Sequence, residues 1–154
     1  MYKKLLKQNY VKFGLYMSLV VVVCLLIMHW TGEYTSFDQG GTLDLVFLLS
    51  PFVLWLLGLL SYKKKLHNQM SFKQGLAEGV RISLVFGILS PFIFMGYYLL
   101  LNPAILDYVS RSYGMTDSSI TSVILVDMTV QFVGVMVLGT VYTSVLSFFL
   151  KSRK

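Results

Sequence analysis

The sequence predicts an all-α, polytopic membrane protein: a bundle of four transmembrane helices with both termini on the cytoplasmic side and a short interfacial helix on the outer face. Three observations carry that prediction. Of 154 residues, 56% are hydrophobic and 13% charged, about half the charged share of a soluble domain and too little to cover a water-facing surface. The polarity is blocky, with long apolar runs alternating with short charged ones. Of the 13 basic residues, all but Arg111 lie before or at the start of the first run, between the second and third, or at the chain's end. That is the pattern of a chain whose cations stay on one side of a membrane.

A hydrocarbon core about 30 Å thick needs roughly 20 helical residues at 1.5 Å each. Segments at about 11–30, 43–62, 75–101 and 119–150 meet that length, and residues 1–154 read as a single transmembrane domain. The first run follows Lys3, Lys4, Lys7 and Lys12. Its "VVVC" is no lipoprotein cleavage site, because Val23 is not small and apolar sequence continues past Cys24 to Met28. The run lacks a small-x-small exit as well, so it is expected to remain as an anchor. One cysteine cannot form an internal disulfide.

The second run ends on Lys63, Lys64 and Lys65, and the third begins with Ser71 and Gln74 spaced as a capping box. Both runs contain "LSPF", at 49–52 and 89–92. Pro51 and Pro91 are expected to kink their helices, a distortion tolerated in membranes; an inverted repeat is the alternative reading. The outer loop opens on Asn102 as a cap, with Pro103 at the first helical position. Ile105, Leu106 and Val109 then share one side, which predicts the short surface helix. The loops 31–42 and 102–118 face outward with Glu33, Asp38, Asp107 and Asp117. Tyr10, Tyr16 and Tyr62 fall near the inner boundary, and Trp30, Tyr34, Tyr97, Tyr98 and Tyr113 near the outer one, the depth amphipathic rings favour.

Packing is written in small residues. Gly75, Gly79, Ser83 and Gly87 recur every four positions on the third helix, Gly14 and Ser18 on the first, and Gly139, Thr143 and Ser147 on the fourth. Such rows let backbones approach where lipid supplies no hydrophobic drive.

Two places bring charge to a span. Glu78 and Arg81 lie at i, i+3, but Ile82–Leu101 is already a charge-free run of membrane length. Since a charge at the bilayer centre costs at least about 2.5 kcal/mol, the pair is expected at the inner interface, with Arg81 snorkelling. Asp127 stands just outside the charge-free run Val130–Phe149, and the helix is longer than the membrane is thick. Asp127, Gln131 and Gly134 follow helical spacing and form the candidate for intramembrane chemistry.

The net charge of +6 has no accompanying nucleic-acid motif and reads as a topology signal. No H-E-x-x-H, G-x-S-x-G, C-x-x-C or P-loop occurs, and His29 and His67 fall on opposite sides of the threading. The chain is therefore expected to be no enzyme and to carry no cofactor or metal. Its partners would be the lipid bilayer and either a membrane-protein partner or further copies of itself. A non-enzymatic accessory or partner-binding subunit is the leading reading. The alternative is a small oligomeric transporter or channel using Asp127 and Gln131 on an interior helix face.

The stretches "SFKQGLAEGVRISL", "YYLLLNPAILDYV" and "KFGLYMSL" together resemble a bacterial membrane family, the domain of unknown function 4199, over essentially the whole chain. The resemblance implies the inner membrane of a Bacteroidota-like bacterium. It brings no activity and no residue roles.

Overall fold

The computed structural model describes residues 8–32, 42–116 and 118–152, with the backbone alone for 42–48. Glu33, Tyr34, Asp38 and Asp117, expected on the outer side, and the terminal Lys3, Lys4, Lys7, Arg153 and Lys154 lie outside the described residues. The described residues fold into five helices without strands: α1 (Asn9–Thr31), α2 (Thr42–Lys65), α3 (Phe72–Leu100), α4 (Ala104–Ser112) and α5 (Ile120–Leu150). The four long helices lie where the four apolar runs do. Among the described residues α1, α3 and α5 are long and apolar enough to cross a membrane. The 24 residues of α2 would extend about 36 Å.

Sequence explains the helix ends. The Ser71 hydroxyl accepts the Gln74 amide at 3.3 Å, and the Gln74 side chain accepts the Ser71 amide at 2.9 Å, completing the predicted capping box. Ser119 caps α5 by accepting the Ser122 amide at 3.3 Å. Helix α1 stops at Gly32, whose φ of +74° suits a residue without a Cβ. At α4 the detail differs from expectation. Pro103 occupies the cap position and no side chain caps the helix; the side chain of Asn102 is buried, while its carbonyl accepts the Ile105 amide at 3.2 Å. Both α2 and α3 continue through Pro51 and Pro91.

Small residues set the closest approach. A Cβ on Gly79 would overlap Thr143, one on Gly139 would overlap Ser83, and one on Gly75 would lie 2.6 Å from the Ser147 hydroxyl. Helices α3 and α5 are therefore nearly in backbone contact over this stretch. On α1, a Cβ on Gly14 would lie 2.6 Å from the Val85 side chain. Gly87 departs from the row: a Cβ there would meet Phe132 and Val135 at 3.4 Å, close to ordinary contact. The two helices have already begun to part at that level.

Of the buried hydroxyls in this seam, those of Ser83 and Thr143 are satisfied, while that of Ser147 has no hydrogen-bond partner within the protein. The Trp55 indole donates to Ser83 at 3.1 Å, Ser83 donates to the Gly79 carbonyl at 2.9 Å, and Thr143 to the Gly139 carbonyl at 2.6 Å. On the outward side of α5, Thr129 and Thr140 donate to the carbonyls of Leu125 and Met136. These hydroxyls make no demand on the surroundings, as a face turned to hydrocarbon requires.

Three chain segments meet at one end of the bundle. Asn9, at the start of α1, donates to the Gly58 carbonyl at 2.9 Å and accepts from Ser61 at 2.9 Å near the end of α2. Ser152, just past α5, accepts the Met70 amide at 3.0 Å and donates to the Asn68 carbonyl at 2.6 Å. The α1 start, the α2–α3 turn and the α5 end thus share one side, and the cations of Lys12 and Lys151 lie over the Tyr16 and Phe148 rings there.

Candidate functional site

At the opposite end, α3 and α5 splay and the space between them is polar at its rim. Asp127, one turn above Gln131 on α5, is only 6% exposed. The Tyr113 hydroxyl, brought over by α4, donates to its carboxylate at 2.9 Å, and the Gln131 amide donates to its other oxygen. The same amide reaches the Tyr98 hydroxyl of α3 at 3.4 Å, and Tyr98 stands close enough to Asp127 to interact with its charge. Burial, with the Asp127 carboxylate beside it, pushes the Tyr113 phenol up to about 12. That phenol therefore stays a donor throughout the neutral range.

The amphipathic α4 makes this arrangement. Ile105 and Val109 are buried against the bundle while Asp107 and Arg111 stay in the exposed row, so the helix lies across this end and delivers Tyr113 at its terminus. The polar rim encloses two cavities. One, of about 260 Å³, lies below it and is lined by Pro51, Trp55, Phe86, Ser90, Gln131 and Tyr142 among others. Gly134, the third residue of the predicted row, lines it too. The Ser90 hydroxyl and the Gln131 carbonyl oxygen are buried without a hydrogen-bond partner within the protein. A second cavity of about 210 Å³ lies beneath α4.

The other predicted pair is at the opposite end of the bundle, near the α2–α3 turn, and is asymmetric. Glu78 is 2% exposed, while the Arg81 side chain is 59% exposed and lies over the Tyr10 ring. Their nearest charged atoms are 3.9 Å apart. The expected pairing is present, but its acid points into the bundle, toward Asn9 on α1, with Lys65 acting on it across the gap from α2. One carboxylate oxygen has no hydrogen-bond partner within the protein. The two sites are far apart in the fold: one at the start of α3, the other at its end. Among the described residues no three His, Cys, Asp or Glu side chains group closely enough for a metal.

Sequence reasoning missed Asn9, Ser61 and the roles of Tyr98 and Tyr113. Asn9 had a signal: it begins the four-residue row Phe13, Met17, Val21 and Leu25, all buried, and so shares their face. The tyrosines had none, since their reading as interface rings was satisfied locally.

Long apolar helices and small-residue seams define the class: an all-helical protein compatible with multiple passes through a membrane. Within that class, the chain belongs to the family described as protein of unknown function DUF4199, whose model matches residues 12–152. No curated protein and no solved structure matches it.

Proposed function

We propose that this protein crosses the bacterial cytoplasmic membrane four times, with both termini inside, and serves as a non-enzymatic accessory subunit that docks a membrane partner. The basic residues gathered at one end support the threading. In residues 45–62, α2 has the charge-free length a fourth crossing needs.

One observation favours docking. Only 11% of the most apolar stretch of α5 is buried, against 39% for α1 and 44% for α3. Its outward residues through the middle are Thr129, Val130, Val133, Val137, Leu138, Thr140 and Val141, all but Leu138 short and β-branched, whereas α1 turns out Leu15, Tyr16, Leu19, Val23, Leu26, Ile27 and Trp30, mostly longer or aromatic. Stiff, short β-branched chains lose little rotamer freedom on packing and leave a smooth face for another helix. Cysteines introduced at Val133 or Val137 should crosslink in native membranes to one discrete partner or a second copy, and Val137→Phe should abolish the adduct. Only diffuse products, or equal yield from a cysteine at Leu19 on α1, would remove this reading.

A second reading, a small oligomeric transporter or channel, is favoured by the interior Asp127–Gln131 pair above the 260 Å³ cavity. Asp127→Asn should then abolish a pH-dependent flux in proteoliposomes while the fold survives. Absence of flux from the unaltered protein at any gradient excludes it.

A further inference from the structure

The cavity beneath α4 is walled by five aromatic residues: Phe94, Tyr97 and Tyr98 from α3, Tyr108 from α4, and Tyr113 just after it. Behind the wall stands Asp127, buried and bonded directly to Tyr113. Among the described residues no Lys or Arg forms an ion pair with that carboxylate, and Arg81 pairs with Glu78 at the other end. The Tyr113 proton is already committed to Asp127, so the Tyr113 oxygen, which lines the pocket, presents lone pairs. The site thus has a negative charge with no basic partner behind it, an acceptor oxygen on Tyr113 and a lining of π-faces. Each of these three features favours a cation, and an aromatic cage backed by a carboxylate suits one carried on carbon.

We propose that this pocket binds an alkylammonium group, held by the aromatic wall and by the Asp127 charge relayed through the Tyr113 hydroxyl. Its volume of about 210 Å³ admits a head group rather than a large molecule. Tyr108 is 43% exposed, so the pocket is reached from the outer side. The ammonium belongs either to a free solute or to a lipid head group, both of which arrive at that depth with the same chemistry. The inference goes beyond the docking role and holds whether or not anything crosses the membrane.

Isothermal titration of the full chain in maltoside micelles with methylammonium and tetramethylammonium tests the solute, with sodium chloride as control. Native mass spectrometry of the chain with phosphatidylethanolamine against phosphatidylglycerol tests the lipid. Saturable binding is expected in at least one arm, weakened roughly tenfold or more by Asp127→Asn, which keeps the shape and removes the charge. Tyr108→Leu, at an exposed position that leaves the fold intact, should weaken binding about two- to fivefold. Binding in the first arm alone assigns a free solute, and selective retention in the second alone assigns the head group. No binding in either arm, or an affinity unmoved by both substitutions, overturns the proposal.

Discussion

Adding one methyl group at Gly79 and one at Gly87 should have opposite consequences, although the two glycines lie on the same row of α3. At Gly79 the new Cβ overlaps the Thr143 side chain and stands 2.9 Å from its hydroxyl oxygen. The overlap includes the Thr143 Cβ, which is fixed to the α5 backbone, so no rotamer change relieves it and the helices must separate. Overpacking of this kind costs typically 1–3 kcal/mol. At Gly87 the nearest atoms stand at 3.4 Å, on Phe132 and Val135, and both are side-chain atoms with room to adjust. Both substitutions gain the same helix propensity, about 1 kcal/mol, which cancels in the comparison. Gly79→Ala should therefore fall about 1–3 kcal/mol below Gly87→Ala, and Gly87→Ala should equal or exceed the unaltered protein. Thermal unfolding of the purified chain in detergent, followed by loss of the monodisperse peak, measures both. The double variant Gly79→Ala with Thr143→Gly moves the methyl across the seam and should recover part of the loss, a coupling that independent sites do not show. Equal stability of the two single variants, or no recovery in the double, would refute the close approach of α3 and α5.

Three further outcomes follow from other parts of the fold. Asn9→Ala leaves the Gly58 carbonyl and the Ser61 hydroxyl without their partner and should destabilise the bundle by about 1–3 kcal/mol in the same unfolding assay, whereas substitution of the exposed Gln8 should not. The Tyr113 phenol has its folded value raised from 10.0 to about 12. Its contribution is therefore fully present below pH 10 and lost as pH rises toward 12, and Tyr113→Phe should flatten that part of a stability–pH profile. A cysteine at Lys64 in a Cys24→Ser background should resist a membrane-impermeant maleimide in intact cells, while one at Arg111 should react; the reverse pattern would invert the threading.

Much of the fold was legible because membrane helices announce themselves by length and by the absence of charge, both local properties. The capping box at Ser71 and Gln74 and the Asp127–Gln131 spacing were readable for the same reason: each is complete within one turn of helix. Glu78 was not. Its 20-residue apolar sequel made the rim the cheap location, and the groups that receive it inside the bundle, Asn9 and Lys65, belong to other helices. Gly87 shows the complementary failure. A four-residue rhythm says that small residues share a face; it does not say how far along that face the partner helix stays in contact, which depends on where Phe132 and Val135 begin to fill the gap.

That gap gives the molecule its polarity of purpose. From Gly75 to Ser83, α3 is held to α5 by side chains too small to separate them, and the α1 start, α2–α3 turn and α5 end are bonded together beneath. An arrangement so constrained has little freedom to open. Toward the other end the same helices diverge around one cavity, a second lies beneath α4, and the closure there is a nine-residue helix tied down partly by one phenol-to-carboxylate bond. Burying Asp127 without a basic partner is costly unless its donors are well placed or a cation joins them. The closely packed half around Gly79 favours stability, and it leaves the half around Asp127, where charge is buried and packing is incomplete, as the part of the chain whose residues suit something other than holding the fold.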